Sequence, residues 1–144
     1  MKFIFKMEEK IVSFKTAKLA NKKGFYIDTP TFLQYDERDE YEEVLSFPKY
    51  RNNGCSTCRL PTQSLLQKWL REEHQIFVTI GVDGTMEPKF CYDLYKFNGN
   101  PRDLGGEEWW WDEDIEYTFY LYRTYEDALE EGLETALNLI KTKE

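Results

Sequence analysis

Thr124-Tyr125-Glu126-Asp127-Ala128-Leu129-Glu130-Glu131-Gly132-Leu133-Glu134-Thr135-Ala136-Leu137-Asn138-Leu139-Ile140 decides the fold. Tyr125, Ala128, Leu129, Gly132, Leu133, Ala136, Leu137 and Ile140 hold the i, i+3, i+4 spacing that gathers apolar residues on one face of an α-helix. Thr124, with Asp127 three residues on, resembles a capping box in which Asp takes the place of Glu. Such a helix must bury its stripe on something flat, and Ala128, Gly132 and Ala136 are small enough for close approach.

The residues upstream supply the flat partner. Ile115, Tyr117, Phe119 and Leu121 alternate with Glu116, Thr118, Tyr120 and Tyr122, which predicts a strand over 115–122 with an apolar and an aromatic-polar face. Ile76, Val78, Ile80 and Val82 alternate with Phe77, Thr79 and Gly81 in the same way, and Asp83-Gly84 predicts a turn. Phe90, Tyr92 and Leu94 then alternate with Cys91, Asp93, Tyr95 and Phe97 on a returning strand that Asn98-Gly99-Asn100-Pro101 ends. Together these segments predict a three-stranded antiparallel sheet.

Two helices precede it. Gln63 to Glu73 follows Pro61 with Thr62 as N-cap, and Leu65, Leu66, Trp69 and Leu70 share one stripe, which assigns Trp69 to the core. His74 closes that helix, where the dipole favours a cation. Ser13 to Lys23 is the other, with Ser13 as N-cap and Gly24 as the C′ residue. Between the two, Pro30 and Pro48 interrupt the chain, and Asp36, Glu37, Asp39, Glu40, Glu42 and Glu43 crowd like charges together. Residues 30–60 are therefore expected to be an irregular, mobile acidic loop with room for one short helix or strand. A calcium loop would need a glycine and an alternating ligand spacing that are missing here. Residues 1–10 are expected to be a disordered or artefactual start, since the helical pattern begins after Met7. The whole chain, 1–144, is expected to form a single α+β domain in the order α-α-β-β-β-α, with the helices on one face of the sheet.

Charge narrows the partners. A net charge of -8 opposes both nucleic-acid phosphate and an anionic membrane surface, and attracts a basic protein instead. No apolar run is long enough to cross a bilayer, and the first six residues are too short for a signal segment, so a cytoplasmic protein is expected. Cysteines at 55, 58 and 91 suit a reducing compartment. Cys55-Ser56-Thr57-Cys58 lacks two further ligands at any standard zinc spacing, and Pro61 and Thr62 separate it from the helix that would activate a redox thiol. No metal and no cofactor are expected.

The candidate functional surface is Glu107-Glu108-Trp109-Trp110-Trp111-Asp112-Glu113-Asp114, preceded by Gly105-Gly106. Indoles concentrate interface energy and the surrounding carboxylates would steer a basic partner, so a non-enzymatic protein-binding module is the leading expectation. The competing account buries some of these tryptophans as packing. A second hypothesis makes Tyr95, Phe97, Tyr120 and Tyr122 a stacking platform for nucleic acid, without the basic groove that such binding normally uses. A third, a small enzyme, finds no nucleophile elbow, phosphate loop, HExxH or histidine pair.

From Gln63 onward the order helix, three strands, helix resembles the double-stranded-RNA-binding domain in topology. That family's basic cluster at the start of its last helix is replaced by Glu126, Asp127, Glu130 and Glu131, so RNA binding is not carried over. In wording, three stretches resemble a family of small uncharacterised proteins encoded by bacteriophages, prophages and other mobile elements of gut bacteria. They are Thr16-Ala17-Lys18-Leu19-Ala20 with Lys23-Gly24-Phe25, the run from Pro61 to Glu72, and the run from Tyr125 to Leu133. This resemblance implies a phage-type context and the host cytoplasm, and no activity.

Overall fold

The C-terminal helix, α3 (Tyr125–Asn138), begins where the capping pattern places it. Thr124 is extended and its hydroxyl accepts the Asp127 N–H at 3.1 Å, while Glu126 and Asp127 put negative charge in the first turn. Ala128, Leu129, Gly132, Leu133, Ala136 and Leu137 are buried, and Ile140 closes the same stripe just beyond the helix. The computed structural model describes residues 9–45, 56–84, 89–97, 109–110 and 121–141.

The sheet beneath this helix joins two long strands, β4 (Ile76–Asp83) and β5 (Lys89–Phe97), with a short edge strand β6 (Trp109–Trp110) in the order β4-β5-β6. All pairings are antiparallel, running from Ile76 opposite Lys96 to Asp83 opposite Lys89, then Lys96 opposite Trp110 and Phe97 opposite Trp109. Ile76, Val78 and Leu94 are buried under α3, whereas Val82 at the far end of the same apolar row is 67% exposed. At that end Phe90 exchanges both backbone hydrogen bonds with Tyr122, at 2.8 and 2.7 Å. The expected strand over 115–122 lies outside the described residues except for Leu121 and Tyr122.

The expectation of an irregular loop over 30–60 is corrected. A second antiparallel sheet is built there from β1 (Phe32–Tyr35), β2 (Tyr41–Val44) and β3 (Ser56–Arg59), in the order β2-β1-β3. Leu33 faces the core, opposite Glu43 on one side and Cys58 on the other. The acidic block accommodates a hairpin because Asp36 uses its carboxylate on the turn, accepting the N–H groups of Arg38 at 2.8 Å and Glu40 at 3.1 Å. Asp39 completes the turn at φ 59, a left-handed conformation that Asp tolerates. The charges of Glu37, Asp39, Glu40, Glu42 and Glu43 stay in water, where their repulsion is weak.

Two further helices knit the sheets together. The first, α1 (Phe14–Lys22), is capped by Ser13, whose hydroxyl accepts the Thr16 N–H, and is followed by Gly24 at φ +100 as expected. It packs on both β3 and α3. The other, α2 (Gln63–His74), is capped by Thr62 and packs on β4 and α3, with Trp69 buried. Leu33 and Cys58 from one sheet and Val78 and Leu94 from the other belong to one apolar cluster. The expected disordered start ends earlier than proposed: the Lys10 carbonyl accepts the Gln63 N–H at 2.8 Å and Val12 donates to Pro61, which fixes the segment against the start of α2. Residues 1–8 lie outside the described residues. No helix among the described residues is long and apolar enough to cross a membrane.

Candidate functional site

Of the tryptophan surface expected from sequence, Trp109 and Trp110 form β6 through their backbones, while Glu107, Glu108, Trp111, Asp112, Glu113 and Asp114 lie outside the described residues. The aromatic platform is not brought together as expected. Tyr95 pairs with Phe77 on the face of the sheet turned away from α3. Tyr122, directly opposite Phe90, faces the α3 side, with its ring 6.2 Å from that of Tyr92. The two tyrosines are thus on opposite faces, because pairing with Phe90 puts Tyr122 in the helix-covered row. Phe97 contributes its backbone pairing with Trp109, and Tyr120 lies outside the described residues.

The cysteine motif is divided in the same way. Cys55 lies outside the described residues, and Cys58 is buried on β3 beside Leu33 of β1, with its thiol pushed up to about 11 by burial, a displacement that Lys18 only partly opposes. Such a thiol stays protonated at neutral pH and is a poor nucleophile. Among the described residues no group of three His, Cys, Asp or Glu side chains is arranged to hold a metal ion. His74 packs edge-on against Trp69 with ring centroids 4.6 Å apart, and burial lowers its pKa despite its place at the helix C-terminus. Desolvation outweighs the opposing pull of the Glu73 carboxylate there.

The most elaborate surface constellation lies where α1 meets the β1–β2 hairpin, and sequence reasoning missed it. Tyr35 and Tyr41 are cross-strand partners. Phe14, the first residue of α1, meets Tyr35 edge-on at 5.3 Å and stacks on Tyr41 at 4.5 Å. One turn further along α1, the Lys18 ammonium sits 5.1 Å from the centroid of Tyr35 and 5.8 Å from that of Phe14. It also donates to Asp39 Oδ1 at 2.7 Å, and this hydrogen bond is the main cause of its raised pKa. Beside this group opens a cleft of about 530 Å³ lined by Phe14, Leu19, Lys22, Glu134 and Asn138 together with Lys15, which pairs with Glu134 at 2.8 Å. The sequence signal was available in two parts: Lys15, Lys18 and Lys22 at i, i+3 and i+7 on one edge of a helix, and tyrosines bracketing the acidic turn.

A second concavity, about 620 Å³, lies at the start of α3 and is lined by Glu9, Lys10, Ile11, Thr124, Glu126 and Asp127. It is an acidic groove without an assembled ligand set. Comparison with family models, with curated proteins and with solved structures finds no match to this chain.

Proposed function

We propose that the protein is a non-enzymatic, acidic protein-binding module of the phage or mobile-element type, acting in the host cytoplasm on a basic partner. The observation that carries this reading is the β1–β2 hairpin. Its edge strand β2 sets Tyr41, 57% exposed, and the following Leu45, 84% exposed, among the exposed carboxylates of Glu40, Glu42 and Glu43. Apolar anchors on a strand rich in carboxylates suit a partner of the opposite charge, with the aromatics supplying retention and the acids supplying encounter. The Trp109 to Trp111 run belongs to the same proposal as a second contact surface. The resemblance in wording to phage-encoded proteins motivates the context, and the free, buried thiol of Cys58 suits a reducing compartment.

Affinity capture from host lysate tests the proposal when the wild-type bait is compared with Tyr41→Ala and with the charge swap Glu42→Lys/Glu43→Lys. A partner held by wild type at low salt, weakened by added salt and lost from both variants is the expected result. Capture of the same proteins by all three folded baits would overturn the hairpin as the contact surface.

A further inference from the structure

Lys18 places its ammonium against two rings and a carboxylate, contacts that depend on the alkylammonium group alone. Its ammonium has two aromatic rings within about 6 Å, the range over which a ring face attracts a cation, and a carboxylate at hydrogen-bond distance. Tyr41 stacks on Phe14 and braces that ring, while the turn hydrogen bonds of Asp36 hold Asp39 in place. Rings and carboxylate come from two elements, helix and hairpin, and converge on one cation. The Lys18 side chain is 43% exposed and borders the open cleft beside it, which Lys15, Lys22 and Glu134 also line.

We propose that Phe14, Tyr35 and Asp39 form a recognition site for an alkylammonium side chain, such as a lysine or methylated lysine of a protein partner, and that Lys18 holds this site shut as an internal ligand. The inference rests on the protein-binding reading and names the chemical group that the partner presents. An exposed ion pair and exposed cation–π contacts are individually weak, so the internal ligand is displaceable. Methylation of the incoming ammonium favours exchange, since it lowers the hydration that must be given up while keeping the charge. While Lys18 is seated, only the fraction of molecules with the site open binds, and apparent affinity falls by that fraction.

The full-length chain and its Lys18→Ala variant are titrated with tetramethylammonium, with the ring protons of Phe14, Tyr35 and Tyr41 followed by NMR. The variant is expected to bind at least about tenfold more tightly than wild type, because the competing ligand is gone. Adding Asp39→Asn, a residue that also accepts a positive φ, is expected to reverse that gain. Neutral tert-butanol, similar in size, is expected to leave the rings unshifted. Lys18→Gln, which removes the charge and keeps an aliphatic stem, replaces Lys18→Ala if the latter does not fold. Equal affinity of wild type and folded variant, binding that survives Asp39→Asn, or equal binding of tert-butanol would each overturn the site. Because partner capture by the hairpin is measured separately, failure here with capture intact rejects the ammonium site and leaves the protein-binding reading standing.

Discussion

Gln63 and Glu130 meet across the α2–α3 interface, the buried amide of Gln63 donating to Glu130 Oε2 at 3.0 Å and to the Glu126 carbonyl at 2.9 Å. The other oxygen of Glu130 accepts the Ser13 N–H at 2.7 Å, so one carboxylate ties together the starts of α1 and α2 and the middle of α3. Glu130→Ala would leave the amide and the N–H without this acceptor, at a cost of about 1–3 kcal/mol. Glu130→Gln keeps an acceptor oxygen and should lose less. Chemical denaturation of the three proteins checks the order wild type, Gln, Ala. Equal midpoints for wild type and Glu130→Ala would refute it.

Gly132 sets how closely α3 approaches the sheet. A Cβ built there would stand 2.7 Å from Val78 Cγ1 and 3.1 Å from Tyr92, too close for either to stay in place. Alanine is the better helix former by roughly 1 kcal/mol, but overpacking a filled core costs about 1–3 kcal/mol, so Gly132→Ala should destabilise on balance. The coupling is local. Shortening Val78 to alanine in the Gly132→Ala background should therefore cost less than it does in wild type, as a double-mutant cycle would measure. Simple additivity would show that the contact does not govern the approach.

Legibility followed the range of the interactions. The α3 stripe, the caps at Ser13, Thr62 and Thr124, and the β4–β5 alternation are local patterns, and each stands where the spacing puts it. The second sheet is different. Its strands are four residues each, too short for periodicity to emerge, and Leu33 alone is buried on β1. Its hairpin packs on Phe14, more than twenty residues away in sequence from Tyr35 and Tyr41, a contact that no local window contains. Much of the expected tryptophan surface lies outside the described residues, while the two sequence signals of the Lys18 site, the lysine spacing on α1 and the tyrosines beside the acidic turn, are joined only by this long-range packing.

Cys58 offers a probe of local opening. With its thiol buried and raised to about 11, it should resist thiol reagents at neutral pH, whereas Cys91 is partly exposed. Labelling followed by peptide mass analysis should find Cys58 modified only under conditions that open the β1–β3 pairing. Modification of Cys58 in the native protein as fast as a free thiol would contradict its burial.

His74 gives the protein a pH dependence whose sign follows from burial. Its folded pKa is lowered from 6.5, first by desolvation and further by Lys96, with Glu73 acting in the opposite direction. As pH falls below 6.5 the unfolded chain takes up a proton that the folded chain resists, so unfolding binds protons and stability declines. The decline continues until pH has passed through the lowered folded value, below which both states carry the charge and this contribution levels off. Above 6.5 the imidazole is neutral in both states and contributes no slope. Because His74 packs against Trp69, indole emission of the folded protein should change as pH passes through the lowered folded value. Comparing denaturation midpoints of wild type and His74→Gln across this range isolates the effect, since other titrating groups are shared. A variant as pH-sensitive as wild type between neutrality and mild acid would remove His74 as the cause.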